Sequence, residues 1–218
     1  MIGNDVIDLA DAECHTVHPR FDERVFGADE RRMIDASAAP EPMRWLLWAA
    51  KESAYKLLRQ LEPETTFIPA RLSVHPQREQ PLDTAPEQMG PNLPQIGTLH
   101  ELPGGTVRYA SSCMPYRAMR KADALHVITF LPQASGSELL AMVAETRSEP
   151  PSVAVRRLAI AAIAARTAIP AEELSIVRDC RVPRIYWRGR QAPIGLSLSH
   201  HGRFVAFAAS FESTRGAT

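Results

Sequence analysis

The segment WAAKESAYKLL combines charged residues in a pattern typical of a metal and phosphate site. Glu52 directly follows Lys51 and precedes Lys56 by about one helical turn. A carboxylate can hold a hard divalent cation while lysine ammonium groups bind phosphate oxygens. Such a cation needs a second carboxylate, and Asp5 in the segment IGNDVIDL is the best candidate, with Asp8 further along the same segment. These residue types therefore predict a divalent cation held next to a phosphate group.

The residues around Glu52 have the periodicity of a helix over residues 43–61. One arc of this helix is apolar and is expected to pack on a core, whereas the opposite arc carries charge and two tryptophans. Solvent-facing helix positions rarely hold two tryptophans, so we expect another part of the chain or a ligand to cover the charged arc. The alternative is a solvated face with a Glu52–Lys56 pair. The members of the charged arc are Arg44, Trp45, Trp48, Lys51, Glu52, Lys56 and Arg59.

A second polar segment, SLSHHGRF, lies far from the first in the sequence. A pair of histidines such as His200 and His201 at a strand end is as typical of a turn as of a ligand site. Ser197 and Ser199 suggest a serine hydrolase, but the sequence has no G-x-S-x-G elbow. Arg190, shortly before this segment, lies in either a solvated hairpin or a phosphate contact. The residue types alone leave the role of this segment open.

The composition indicates a globular protein with balanced charge. At 218 residues and 45% hydrophobic content, the chain can bury one sizeable core or two small ones. Lys plus Arg and Asp plus Glu both number 25, which argues against wholesale binding of nucleic acid or an acidic membrane surface. The sequence has no run of about 18 apolar residues, and its first segment is acidic rather than basic. We therefore predict a cytoplasmic protein that does not span a membrane.

The order of helix and strand patterns predicts an α+β fold in two halves, residues 1–135 and 136–218. The first half has a strand at its start, the helix described above and a hairpin that turns at Pro103-Gly104-Gly105. Residues 76–94 form a proline-rich loop, and residues 133–151 form a linker or a short helix. The second half begins with a helix over residues 152–169, with Ser152 as its N-cap, and continues with strands in LSIVRDC, PRIYWR, IGLSLS and FVAFAASF.

Four segments together resemble the successive signatures of the 4'-phosphopantetheinyl transferase superfamily. They are MIGNDVIDL, RVFGADE, WAAKESAYKLL and SLSHHGRFVAFA. The family patterns are G-x-D-I, F-x-x-x-E, W-x-x-K-E-[AS]-x-x-K and S-x-S-H before a strand of small residues. The third pattern is specific, and four motifs in a permissible order seldom arise by chance.

The resemblance implies an enzyme that moves the 4'-phosphopantetheine arm of coenzyme A to a serine of an apo acyl or peptidyl carrier protein, releasing 3',5'-ADP. Asp5 and Glu52 match the Mg²⁺ ligands of the family, and Lys56 matches a catalytic lysine that contacts the pyrophosphate. Glu52 or a metal-bound water is the base. Glu30 matches the F-x-x-x-E acid, and the resemblance leaves open whether Glu30 or Asp8 also serves the metal.

The remaining matched residues are expected to bind coenzyme A. Lys51 corresponds to the first lysine of the motif, and Ser199 and His200 correspond to the S-H pair that contacts the phosphates. Arg190 lies where many relatives have G-K-P, here stretched to G-R-Q-A-P. Surfactin-type members carry a second acid two residues after the first, but Ile7 occupies that position, so the resemblance implies two protein carboxylates on the metal.

The motif order implies a particular architecture. The order matches the small holo-acyl-carrier-protein synthases, which are trimers of about half this length, whereas the length matches surfactin-type enzymes. We therefore expect a monomeric pseudodimer of two halves, each a long helix on a small, mainly antiparallel sheet, with the active site in the cleft between them. The second half is then expected to cover Trp45 and Trp48.

Two other functions are weighed against this one. The first is a catalytically weak carrier-protein or nucleotide-binding module of the same fold. The joint presence of Asp5, Glu52, Lys51, Lys56 and His200 disfavours it. The second is a platform for single-stranded nucleic acid on the helix that contains tryptophan, lysine and arginine. The zero net charge argues against nucleic acid.

Overall fold

The structure is a computed structural model that describes residues 1–77, 100–131 and 138–211. It has helices and antiparallel sheets, so the predicted α+β class is confirmed. The helices are α1 (Ala12–His15), α2 (Phe21–Val25), α3 (Ala28–Ala36), α4 (Pro40–Leu61) and α5 (Pro151–Thr167). The strands are β1 (Ile2–Asp8), β2 (Ser73–Pro76), β3 (His100–Tyr109), β4 (Ser112–Lys121), β5 (Ala124–Phe130), β6 (Glu138–Glu145), β7 (Leu174–Asp179), β8 (Val182–Trp187), β9 (Arg190–Gln191), β10 (Ile194–His201) and β11 (Phe204–Phe211).

The first sheet has the strand order β1-β5-β4-β3-β2, with β1 at one edge. β1 pairs with β5 in an antiparallel register that runs from Ile2 opposite Phe130 to Asp8 opposite Ala124. Every residue of β1 is buried, because α4 covers one face of the strand and the second sheet covers the other. This explains why the segment is mainly apolar instead of alternating between apolar and polar residues.

The second sheet, β10-β11-β6, lies between the first sheet and α5. Side chains of β11 alternate between these two neighbours, as the two-residue period of a strand requires. Phe204 and Ala206 pack against Val6 of β1, whereas Val205 and Phe207 join the α5 core. The molecule therefore has four layers in the order α4, first sheet, second sheet and α5.

A third, smaller sheet has the order β7-β8-β9. It contacts the core formed by α5 and the second sheet, and it also contacts α4. Ile185 of β8 is fully buried in the core that α5 forms with the second sheet. On its other side, the turn between β7 and β8 meets α4, where the Arg59 guanidinium donates a hydrogen bond to the Cys180 carbonyl (3.0 Å). The small sheet is thus attached to both long helices.

The two long helices match their predicted positions, but α5 begins differently. α4 starts at Pro40, slightly before residue 43, with proline in the first turn where no intrahelical N–H partner is needed. α5 starts at Pro151 with Pro150 as its N-cap, so the predicted cap at Ser152 is wrong. It ends at Thr167, followed by Ala168 in the left-handed region (φ 57°).

The predicted turn at Pro103-Gly104-Gly105 is wrong, because β3 continues through these residues with a bulge between Leu102 and Gly105. The hairpin turns instead after Tyr109, where Ala110 adopts a φ of 50°. Glycine is required at positions 104 and 105 because neighbouring backbone atoms lie too close for a Cβ, and neither residue has a positive φ. A Cβ at Gly105 would overlap the carbonyl oxygen of His75 on the neighbouring strand.

The region predicted as a linker or short helix contains a strand instead. Glu138–Glu145 forms β6, which pairs with β11 along its whole length. The predicted proline-rich loop lies mostly outside the described residues, as do residues 132–137. Division of the chain at residue 135 and the pseudo-repeat of its halves stay predictions.

Among the described helices, none has both the length and the apolar character that crossing a membrane would require.

Candidate metal and phosphate site

The free edge of β1 lies beside β10, and side chains of β10 bind the backbone N–H groups of this edge. Alternate residues of β10 point toward β1 and accept hydrogen bonds from alternate residues of β1. An edge strand that would otherwise leave buried N–H groups unpaired is thereby satisfied. The three pairs are Asn4 N–H to Ser197 Oγ (2.9 Å), Val6 N–H to Ser199 Oγ (3.1 Å) and Asp8 N–H to His201 Nδ1 (3.1 Å).

Gln60 of α4 completes this junction at the start of β1. Its Oε1 accepts a hydrogen bond from the Ile2 N–H (3.3 Å), and its Nε2 donates to the carbonyls of Ile2 (2.5 Å) and Leu196 (3.1 Å). Helix α4 is therefore joined to both β1 and β10. The role of Gln60 was not predicted, because its burial and its partners depend on tertiary contacts.

Asp5 lies at the middle of this junction, where β1, β10 and α4 meet. Its Oδ1 accepts hydrogen bonds from Lys56 Nζ (2.8 Å) and from Ser199 Oγ (2.8 Å). Lys56 Nζ also donates to Ser199 Oγ (3.2 Å). Asp5 is only 7% exposed, whereas the Lys56 side chain is 28% exposed. The structure thus brings together three residues that are far apart in the sequence.

Glu52 lies about one turn before Lys56 on α4 and is half-buried beside Asp5. Burial and, to a smaller extent, the Asp5 charge raise the pKa of Glu52 to about 7, while the Lys56 charge opposes the shift. No hydrogen bond from a described residue reaches the Glu52 carboxylate. Two neighbouring carboxylates with one shared ammonium lack positive charge, and a divalent cation would supply it.

The donor set fits Mg²⁺, which prefers carboxylate oxygens and keeps several water ligands. In the described part of the chain, no group of three or more His, Cys, Asp or Glu side chains is arranged to hold a metal ion. If Mg²⁺ binds here, Asp5 and Glu52 would be its two protein carboxylates, and water and phosphate oxygens would complete the coordination.

Asp8 is close to Asp5 in sequence but is occupied by other partners. Its two oxygens accept three hydrogen bonds from Arg203, at 2.7, 2.7 and 3.0 Å, and one from the Ala10 N–H. These bonds lower the pKa of Asp8 to about 2. Arg203 also binds Asp123 in the turn before β5. Asp8 therefore connects the two sheets and leaves no carboxylate oxygen unbonded for a metal.

Lys51 does not lie in the site, so its predicted contact with a coenzyme A phosphate does not fit the structure. Its side chain is fully buried, and Nζ donates to Glu30 Oε2 (2.7 Å). Nζ also lies within 3.1 Å of the carbonyl oxygens of Val25, Pro69 and Leu72. An ammonium has three N–H groups, so none remains for a phosphate.

Glu30 is the structural partner of Lys51. Its Oε2 also accepts a hydrogen bond from the Gly27 N–H (2.8 Å), and its Oε1 accepts one from the Val74 N–H (2.7 Å). The carboxylate thus joins α3, α4 and β2. Both Glu30 oxygens accept hydrogen bonds from protein groups, which favours a structural role for this residue.

The tryptophans of α4 are covered, but by the first half of the chain, so the expected cover by the second half is wrong. The Trp48 ring lies 5.4 Å from the Phe21 ring and 5.6 Å from the Phe67 ring. Trp45 Nε1 donates to the Cys14 carbonyl (3.3 Å). The Trp48 ring is therefore covered by Phe21, which precedes α4, and by Phe67, which follows it.

His200 is exposed at the end of β10, and the charges of Lys56 and Asp5 both influence the pKa of its imidazole. Partial burial and the Lys56 charge lower the pKa of His200, which favours its neutral form. No described residue forms a hydrogen bond with it. His201, in contrast, uses Nδ1 to accept the Asp8 N–H and has a structural role.

The other two residues predicted to bind coenzyme A differ in their surroundings. Ser199 is 5% exposed, and its hydroxyl already has three hydrogen-bond partners, so the predicted phosphate contact does not fit. Arg190 is exposed in β9, opposite Trp187. In the described residues, no hydrogen bond or ion pair connects Arg190 with Asp5, Glu52 or Lys56.

Comparison with known proteins gives one family match. Residues 1–85 match the family model described as the 4'-phosphopantetheinyl transferase superfamily. The matched span contains Asp5, Glu52 and Lys56, and it confirms the resemblance for this part of the chain. No curated protein matches the chain.

Proposed function

Because its residues 1–85 carry the signature of the 4'-phosphopantetheinyl transferase superfamily, we propose that the chain transfers the 4'-phosphopantetheine arm of coenzyme A to a carrier-protein serine. The acceptor is an apo acyl or peptidyl carrier protein, and the second product is 3',5'-ADP. The reaction requires Mg²⁺. The cytoplasmic location and the monomeric state predicted from the sequence accompany this proposal as predictions.

The observation that carries the proposal is the Asp5–Glu52 carboxylate pair with Lys56 beside it. Burial and the Asp5 charge raise the pKa of Glu52 to about 7, and carboxylates with a raised pKa are typical of functional sites. Lys56 uses two N–H groups for Asp5 and Ser199, and its third is available for a phosphate oxygen. A cation site and a phosphate donor are thus adjacent.

In the transfer, the serine oxygen forms a bond to the β-phosphorus of coenzyme A. The bond from that phosphorus to the oxygen bridging to the α-phosphate breaks, and 3',5'-ADP leaves. Such reactions depend mainly on positioning and on neutralising charge. Asp5 and Glu52 would hold the Mg²⁺ ion, which would supply the charge neutralisation that pyrophosphate oxygens need.

The residues of the chain supply the remaining functions. Lys56 holds a phosphate oxygen and stabilises the negative charge that develops on the leaving group. His200 is exposed and the neutral form of its imidazole can donate a hydrogen bond to a phosphate. Arg190 is exposed in β9, and its contact with coenzyme A is part of the proposal. The serine proton goes to Glu52 or to a water molecule beside it.

The rival proposal is a module that binds a carrier or a nucleotide without turnover. The pair of carboxylates disfavours it, because a binding module has no need for a buried carboxylate with a raised pKa. Nothing in the described residues specifically favours a nucleic-acid platform, since Trp45 and Trp48 pack on other protein rings.

The test is transfer from coenzyme A labelled on its thiol to a panel of apo carriers from fatty-acid, polyketide and peptide synthesis. We expect at least one carrier to gain the label in the presence of Mg²⁺ and to lose this ability when its acceptor serine is replaced by alanine. Binding of a carrier without label transfer from any member of the panel would instead support the rival module.

A further inference from the structure

The Ser199 hydroxyl has its full number of hydrogen bonds. It donates to Asp5 Oδ1 (2.8 Å) and accepts from the Val6 N–H (3.1 Å) and from Lys56 Nζ (3.2 Å). A hydroxyl has one proton and two lone pairs, so these three contacts use its whole capacity. Ser199 is also buried, which keeps its oxygen away from solvent.

From this geometry we propose that Ser199 is a positioning residue that orients the Asp5 carboxylate for the cation, instead of a ligand for phosphate. The inference rests on the proposed function only in taking Asp5 as a cation ligand. By donating to Oδ1, Ser199 fixes the rotation of the carboxylate about its Cβ–Cγ bond. No described residue forms a hydrogen bond with Oδ2, so that oxygen is left for the cation.

The bond from the Val6 N–H makes this orientation rigid. Ser199 contacts the backbone of Val6 and the side chain of Asp5, which are neighbours on β1. Two contacts to adjacent residues prevent the hydroxyl from following a rotation of the carboxylate. Outer partners of this kind commonly tune metal sites by holding the ligand in the binding geometry.

Lys56 extends the same arrangement to α4. Because its ammonium contacts both Asp5 and Ser199, it is held by the strand pair as well as by its own helix. Ser199 therefore connects β1, β10 and α4 at one atom, and its loss should affect the cation site more than the junction as a whole.

Ser197 provides a matched control on the same face of β10. Its hydroxyl accepts a hydrogen bond from the Asn4 N–H (2.9 Å), and the residue is buried to a similar extent as Ser199. No hydrogen bond connects Ser197 with a carboxylate in the described residues. Replacing Ser197 removes an equivalent contact to the edge of β1 without a contact to Asp5.

The test is direct titration of the purified protein with Mn²⁺, with free Mn²⁺ measured by electron paramagnetic resonance. We expect Ser199→Ala to weaken Mn²⁺ binding by about 10- to 100-fold and Ser197→Ala to leave it within about twofold of the wild type. The inference is overturned if Ser199→Ala binds Mn²⁺ like the wild type, if both variants weaken equally, or if the wild type binds none.

A second variant covers the case in which Ser199→Ala does not fold. Ser199→Cys has nearly the same size but a weaker donor, so it should bind Mn²⁺ more weakly than the wild type. Wild-type affinity in the cysteine variant would contradict the proposal. The titration contains neither coenzyme A nor carrier, so a protein that binds Mn²⁺ in this way but transfers nothing would disprove only the proposed function.

Discussion

Lys51 and Lys56 lie on the same helix, but their ammonium groups have opposite surroundings. Lys51 is enclosed by Glu30 and three backbone carbonyls, and burial lowers its pKa while Glu30 opposes the shift. Lys56 borders solvent and contacts Asp5. The first lysine holds the fold around α4 together, whereas the second belongs to the site.

Lys51→Met tests this division at the residue scale. The substitution leaves Glu30 buried without its cation, so we expect a loss of about 3–5 kcal/mol in the free energy of unfolding. Urea denaturation measures it. Lys56→Met is the comparison and should cost less stability but lose most of the transfer activity. Equal stability of Lys51→Met and the wild type would contradict the structural role.

The residue types of the site could be predicted from the sequence, but not all of their roles. Asp5, Glu52 and Lys56 come together as expected, because a motif and a helix face define their directions. Lys51 lies on the same predicted face, but a helical wheel gives only the direction of a side chain and not the groups that cover it. Its cover comes from Glu30 and from the carbonyls of Val25, Pro69 and Leu72, and their approach depends on tertiary packing.

At the scale of elements, Gly3 sets the distance between α4 and β1. A Cβ at this position would overlap the Ser53 carbonyl oxygen and would lie 2.9 Å from the Leu57 nitrogen. The helix backbone therefore packs directly on the strand. Asp5 follows Gly3 by two residues and Glu52 precedes Ser53, so this close approach brings the two carboxylates together.

Gly3→Ala should push α4 away from β1. Because backbone atoms must move, we expect a loss of about 1–3 kcal/mol in unfolding free energy and weaker Mn²⁺ binding. Gly27→Ala is the control, since a Cβ there would meet only Glu30 Oε2 at 3.7 Å and should change stability by less than about 0.5 kcal/mol. Chemical denaturation measures the unfolding free energy of both variants. A Gly3→Ala variant as stable as the wild type would refute the packing argument.

Local sequence patterns predicted the long helices, which are flanked by prolines. They did not predict the elements whose structure depends on contacts between distant segments. α4 was found because prolines mark its start and apolar periodicity marks its face. α5 was found from its alanine-rich run before Pro170, although its N-cap was misplaced. β6 was missed because its pairing with β11 is non-local and its flanks are polar. Pro103-Gly104-Gly105 suggested a turn, whereas the glycines are required by the nearness of neighbouring strands.

At the scale of the whole molecule, a buried polar pair lies between the two sheets. Asn4 Nδ2 and His126 Nε2 are 3.1 Å apart, and both residues are fully buried. They lie on the face of the first sheet that also carries Val6, which packs against the second sheet. Burial lowers the pKa of His126 to about 3, so the folded protein holds this imidazole neutral.

This pair predicts acid sensitivity. The unfolded chain binds a proton at His126 below pH of about 6.5, but the folded protein does not until near pH 3. Stability is therefore fully present above pH 6.5 and falls by about 1.4 kcal/mol per pH unit as the pH decreases toward 3.

His126→Gln should flatten this decline, measured by urea denaturation between pH 7 and about 4.5. His75→Gln, at an exposed position of β2, is the control and should keep the wild-type slope. Parallel profiles for the wild type and His126→Gln would rule out this source of acid sensitivity.

The joining of β1 to β10 was the part of the molecule least accessible from the sequence. Ser197, Ser199 and His201 alternate along β10, and that two-residue spacing is a signal of one polar strand face. What this face binds depends on β1 lying beside it, although the two strands are far apart in sequence. The pattern could indicate a face but not its partner.

The most direct test of the central claim is the transfer rate of Glu52→Gln compared with the wild type, measured by mass spectrometry of the carrier at saturating coenzyme A and Mg²⁺. We expect a loss of at least about 100-fold, because the variant lacks one of two cation ligands. The substitution also removes repulsion with Asp5, so the variant should be at least as stable as the wild type. A stable Glu52→Gln variant that transfers the arm at the wild-type rate would contradict the account.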